Sequence, residues 1–187
     1  MKLIALGTAG YHPTERRQTA CFLLPELGIV LDAGTGMFRL RERLATTQLD
    51  IYLTHAHLDH VAGLTFLLDV FNGKPMERVT IHALADKLEA VDKHLLDELI
   101  FPVKLPYEMR PLVQDAEIAG GGKLRHFRWC IRAGRLGFGS IGLIVHWLTS
   151  PTQRRPGLVP HISTRFAASI CYCMSVTILT GWRRWRS

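Results

Sequence analysis

An α/β fold is what this sequence predicts, and three observations carry the prediction. Short apolar runs rich in strand-favouring residues recur along the front of the chain. One of them is followed directly by an apolar segment with helical spacing, and another by a longer amphipathic one. Alternation of short strands with helical segments is the pattern of a sheet covered by helices.

Taken in order, Lys2 to Leu6, Cys21 to Leu24, Gly28 to Leu31 and Val79 to His82 read as strands, separated by turn signals at Gly7, Gly10, Pro13, Pro25 and Gly73. Asp50 to Thr54 is a further strand, and Val61 to Phe71 has the leucines and spacing of a helix. Leu84, Leu88, Val91, Leu95 and Leu99 recur at helical spacing with charged residues between them, which predicts an amphipathic surface helix carrying His94 on its solvated side. His82 at a strand end and His12 in a polar loop are expected to be structural.

Between the strand at 50–54 and the helix at 61–71 lies His55-Ala56-His57-Leu58-Asp59-His60, three histidines and one aspartate within six positions. If the chain is still extended there, His55 and His57 point to one side, because side chains alternate along a strand. Asp59 falls where a helix N-cap belongs and His60 in the first turn, so both can project toward the same point, while Gly63 permits close packing. Neutral imidazole and carboxylate are the ligand types that hold zinc or a similar divalent cation. Two sets a few ångströms apart make a two-metal site.

This His-x-His-x-Asp-His loop resembles the signature of the metallo-β-lactamase superfamily, and the resemblance extends over about residues 1 to 120. MKLIALGTAG is similar to the opening strand and glycine turn of the branch containing ribonuclease Z and related phosphodiesterases, and GIVLDAGTG to the second strand with its aspartate. The resemblance implies an αβ/βα sandwich. By position it implies that His55 and His57 hold a first metal, that Asp59 and His60 hold a second, that Asp59 is also catalytic, and that Asp32 supports the ligands from behind. The implied cofactor is a pair of zinc ions, with manganese or iron as alternatives. The family completes its site with a later histidine, a bridging aspartate and a last histidine near the C-terminus, all of which must come from the second half of the chain.

That second half is compositionally abnormal. All 16 Asp and Glu occur by Glu117 and the last lysine is Lys123. From Leu124 onward there are ten arginines, no lysine, no acid, all four tryptophans and three of the four cysteines. The net charge of +7 is therefore −3 for residues 1–123, with 13 Lys and Arg against 16 acids, and +10 for the rest. Globular chains are about a quarter charged with both signs present. An arginine-rich tail can contact nucleic acid or anionic lipid. The apolar stretch 166–182, however, has only 17 residues and several hydroxyl groups, short of the roughly 20 that span a bilayer. Cys171 and Cys173 are too close and too isolated to make a metal site.

Translation of a GC-rich gene in the wrong frame accounts for all these features together. Taking the third base of each codon from Cys130 onward with the first two of the next, CIRAGRLGFGS permits HPGGSLGFRV, WLTSPTQ permits AYVTDT, and ICYCMS permits LLLHEC. These strings resemble the three missing family motifs, in order and at one constant offset. A one-base insertion or deletion near Arg128 or Trp129 is therefore expected, which makes residues 1–127 the authentic half and 128–187 an aberrant basic tail. The sandwich would then be incomplete. His126, His146 and His161 match no family motif and are not assigned as ligands.

The expected activity is that of a metal-dependent hydrolase, a phosphodiesterase or ribonuclease Z-like enzyme using a metal-bound hydroxide on a phosphoester or RNA. GTGMFR and HAHLDH depart from the Gly-Glu-Gly-Thr and His-x-His-Gly-Asp-His patterns of tRNA-processing enzymes, which points to a general hydrolase rather than to tRNA. The alternative is an inactive fragment or weak metal-binding module, because half of the site is missing. No charged and apolar leader is evident at the N-terminus, and one cysteine in the front half provides no disulfide framework, so a cytoplasmic location without a membrane contact is expected, with a homodimer left open.

Overall fold

A computed structural model describes residues 2–112 in full and, beyond them, the backbone of four strands at 116–118, 122–130, 139–147 and 177–180. The chain divides into two units, Met1–Val113 and Gln114–Ser187.

The first unit is built on a six-stranded sheet with its strands in sequence order. They are β1 (Ile4–Gly7), β2 (Cys21–Leu24), β3 (Ile29–Leu31), β4 (Gln48–Tyr52), β5 (Arg78–Ala83) and β6 (Glu108–Pro111). The first three form an antiparallel meander, and β3 to β6 run parallel. Parallel neighbours need a crossover, and helices supply it here. Residues 58–73 cross from β4 to β5, and the segment starting with α3 (Ala85–Ala90) crosses from β5 to β6. Mixed strand direction with helical crossovers bears out the α/β class.

Strand alternation then sorts the side chains. Leu49, Ile51, Val79, Ile81 and Ala83 enter the buried cluster with Met37, Leu64, Leu67, Leu88 and Val91. Asp50, Tyr52, Arg78 and His82 occupy the alternate positions, and the parallel register sets Tyr52 opposite His82.

Two helices differ from their sequence expectation. The segment expected as one helix over 61–71 starts earlier and is broken into α1 (Leu58–Val61), a 3-10 stretch (Ala62–Phe66) and α2 (Leu67–Gly73). Gly63 donates its N–H to Ala33 O at 2.8 Å, outside the helical ladder, which explains the break. The amphipathic segment is α-helical only from Ala85 to Ala90 and widens into one turn of π-helix over Val91–Leu95. Asp97 Oδ1 then accepts the Leu99 N–H at 2.9 Å, a local turn that competes with further helix. Leu99, expected on the apolar face, is 95% exposed.

In the second unit, β7 (Ala116–Ile118), β8 (Gly122–Cys130) and β9 (Gly139–Trp147) pair antiparallel, and β10 (Thr177–Thr180) joins β9 in parallel. The Cys171 and Cys173 pair, His161 and the side chains of His126 and His146 lie outside the described residues. Among the described residues no helix is long and apolar enough to cross a membrane.

Candidate metal centre

The centre forms where β4 runs out into α1. His57, not Asp59, is the N-cap residue, with extended backbone, and the first turn is closed by the His60 N–H to the His57 carbonyl at 2.8 Å. Asp59 and His60 both lie within the turn and are buried, as is the sheet end behind them. Because the chain stays extended up to His57, the rings of His55 and His57 meet edge to face with centroids 4.5 Å apart. The His60 ring approaches His55 to 3.9 Å. One ligand atom from each of His55, His57 and Asp59 lies within 4.8 Å of the others, a group that could hold a metal ion.

The second wall is the turn after β3. Asp32 is fully buried with φ +56, a left-handed conformation that aspartate tolerates better than most residues. Gly34 and Gly63 permit its approach to α1: a Cβ on Gly63 would collide with the Gly34 carbonyl and the Met37 side chain, and one on Gly34 with the Asp59 carbonyl. Asp32 Oδ1 accepts the Thr54 N–H at 2.8 Å, and the Thr54 hydroxyl lies 2.8 and 2.9 Å from the two carboxylate oxygens. Asp32 Oδ2 also stands 3.0 Å from His60 Nδ1. That nitrogen is buried and off the line of a hydrogen bond, so the contact is one of charge. On the other side, His60 Nε2 is 3.4 Å from Asp59 Oδ2, which also accepts the Tyr11 N–H at 2.8 Å.

The electrostatics follow from this crowding. Burial, then the adjacent His60, pushes His55 down to about 4, the direction that leaves its imidazole neutral and able to ligate. Burial opposes charge on His60 as well, but Asp32 and Asp59 outweigh it and raise His60 to about 9. Burial would raise Asp59, yet its bond to His60 and the backbone N–H of Tyr11 hold it below the usual carboxylate range. Among the described residues, neither Asp32 nor Asp59 forms an ion pair with lysine or arginine.

The structure thus brings all five sequence-derived residues, Asp32, His55, His57, Asp59 and His60, to one end of the sheet. His12 lies at the surface with Nδ1 2.8 Å from the Pro13 carbonyl. His82 is engaged elsewhere: its Nε2 lies 3.0 Å from Asp50 Oδ1, and its ring stacks on Tyr52. Two contributors escaped the sequence reading. Thr54 looked like one more strand residue, and Tyr11 acts through its backbone N–H, which no residue pattern reveals.

Comparison with known proteins agrees with this geometry. The family model of the metallo-beta-lactamase superfamily matches residues 14–130. Ribonuclease Z of Nanoarchaeum equitans is 33% identical over 113 residues, 57% of this chain and 35% of that protein. Ribonuclease Z of Trichodesmium erythraeum is 32% identical over 141 residues, 67% of this chain and 43% of the relative. The chain therefore spans less than half the length of these relatives. The crystal structure of Zn(2+)-bound PqqB from Methylobacterium extorquens superposes with TM-score 0.56 at 13% identity, over 78% of this chain and 64% of the other, which shows a shared fold. With the match covering well over half its length, the chain belongs to the metallo-β-lactamase superfamily.

Proposed function

We propose that the first unit is the metal-binding half of a hydrolase that cleaves phosphodiester bonds, with RNA or a smaller phosphoester as substrate. The observation that carries this reading is the convergence of His55, His57 and Asp59 within 4.8 Å, beside carboxylates that pair with no lysine or arginine among the described residues. Buried carboxylates normally carry a compensating cation. Among the described residues, the one positive group paired with them is His60, itself a ligand type, and its Nδ1 has no hydrogen bond. The donor set of imidazole nitrogen and carboxylate oxygen suits zinc, and also manganese or iron. His55 and His57 would hold one ion, and Asp59 and His60 a second.

A metal held by these residues would supply Lewis acidity toward water and the phosphoryl oxygens. The chain's own residues do the rest. His55 stays neutral and presents a lone pair. Asp32 balances charge behind His60, and the Tyr11 N–H fixes one oxygen of Asp59, whose ionised carboxylate both ligates and orients water. Ribonuclease Z relatives break an RNA backbone by name, which supports phosphodiesters as the substrate class.

We further propose that residues 128–187 are read out of frame, so that the chain as it stands holds at most one metal weakly and is catalytically inactive. Two observations favour this: the absence of acids and lysine after Lys123, and the end of the family match at residue 130. The test is to sequence the gene across codons 120 to 135, express both frames, and measure bound metal and hydrolysis of bis(p-nitrophenyl) phosphate. Two metals with activity in the restored frame, and one or fewer without activity in this chain, are expected. Failure of both proteins to retain any metal would remove the proposal.

A further inference from the structure

The hydroxyl of Thr54 occupies a position that the activity proposed above leaves without a role. It is 4% exposed and sits at the junction between the Asp32 carboxylate and the first histidine of the cluster. Thr54 Oγ1 is 2.8 Å from Asp32 Oδ1, 2.9 Å from Asp32 Oδ2 and 2.8 Å from His55 Nδ1. A hydroxyl has one proton to give and two lone pairs to offer. A carboxylate can only accept, so the single Thr54 proton is committed to Asp32. The contact with His55 must then run the other way, with Nδ1–H donating to the Thr54 oxygen. In a neutral imidazole that leaves the proton on Nδ1 and a bare lone pair on Nε2.

We infer that Thr54 is a positioning residue that, through the chain Asp32–Thr54–His55, selects the Nδ1-protonated tautomer of His55 and so dedicates Nε2 to the metal. This rests on the reading of His55 as a ligand. Ligating histidines commonly have their second nitrogen held by a carboxylate, carbonyl or water, and loss of that partner costs about 10 to 100-fold in metal affinity. Here the carboxylate acts at one remove. Its geometry is itself anchored, because the Thr54 N–H also donates to Asp32 Oδ1 at 2.8 Å, which holds the backbone and the side chain of one residue on one carboxylate.

The alternative is that Thr54 merely fills the strand end. Nitrogen-15 NMR of the imidazoles in the full-length, metal-free protein at neutral pH, together with zinc titration against a chromophoric chelator, separates the two. The wild type is expected to show His55 protonated on Nδ1. Thr54→Val, which keeps the β-branch and removes the hydroxyl, should lose that preference and bind zinc about 10 to 100-fold more weakly, while Thr54→Ser should restore both. A wild-type His55 carrying its proton on Nε2 overturns the inference, and so does a Thr54→Val protein with unchanged tautomer and affinity. If Thr54→Val does not fold, the wild-type tautomer and the Thr54→Ser affinity still decide it. A wild type with the stated tautomer but no zinc binding leaves the Thr54–His55 hydrogen bond standing, overturns the reading of His55 as a ligand, and takes the metal-directing role of Thr54 with it.

Discussion

His60, in α1, and His82, on β5, each meet an aspartate oxygen at 3.0 Å, yet the two contacts have opposite characters. Around His82, the Asp50 carboxylate is gripped on both oxygens by Arg78 at 2.8 and 2.9 Å, and the imidazole lies flat on Tyr52. That cluster closes on itself, with its negative charge compensated by a guanidinium. Around His60, two carboxylates face imidazoles and no lysine or arginine among the described residues. A histidine beside an aspartate therefore says little by itself. What distinguishes this ligand set from the structural ion pair is that a guanidinium already holds the Asp50 carboxylate, whereas Asp32 and Asp59 have only an imidazole, itself a ligand type, among the described residues.

The largest expected effect tests that distinction directly. His55→Ala or His57→Ala should weaken zinc binding by more than about 100-fold, beyond the usual loss for an outer partner, whereas His82→Ala should leave it within about twofold. Calorimetric titration reads this, and an equal loss in all three variants would break the comparison.

Next comes the cost of removing each carboxylate. Asp32→Asn suits the left-handed backbone at this position, so it reports charge and hydrogen bonding rather than strain. It should destabilise the metal-free protein by roughly 2 kcal/mol, since it removes the counter-charge of a fully enclosed His60. Asp50→Asn should cost less, because Arg78 is partly solvated and can recover water. Chemical denaturation at neutral pH orders the two, and a larger loss for Asp50→Asn would contradict the contrast in burial.

The smallest effect is a pH dependence. Burial opposes charge on Asp50, but His82 and Arg78 outweigh it and hold the carboxyl at about 2, below its ordinary value of 3.8. A depressed carboxylate contributes stability that is fully present above the unfolded value and is lost as pH falls from about 4 through 2. The amount is on the order of 1 to 2 kcal/mol after allowance for the solvated side of Arg78. Acid denaturation of Asp50→Asn should lack this component. A wild-type stability that falls in parallel with the variant's between pH 4 and 2 would show that the Arg78 grip contributes nothing.

Most of the first unit was legible in the sequence because its signals are local. Strand runs such as Cys21–Leu24 and the ligand types at 55–60 depend on residues that are neighbours in the chain. The misreadings are equally specific. Leu99 kept the helical period, but a side-chain bond from Asp97 ended the helix before it. Asp59 had the chemistry of an N-cap, but the helix is capped two residues earlier, at His57, and Asp59 faces Tyr11 and His60 instead. In both cases a single hydrogen bond outweighed a propensity of a few tenths of a kcal/mol.

The sequence alone determined which chemistry this chain holds: imidazole and carboxylate at a spacing that one strand-to-helix loop turns toward one point, and a change of composition after Lys123 that separates front from back. Only the tertiary structure decided how those groups are held. Asp32 is 22 residues from Thr54, and Tyr11 is 48 from Asp59, so no window of sequence contains either pair. The first pair meets because β3 and β4 run parallel side by side, while glycines at 34 and 63 let the turn after β3 touch α1. Spacing along a chain can nominate ligands, but hydrogen bonds across a sheet are short-ranged and directional, and the partners they orient exist only once the strands have paired.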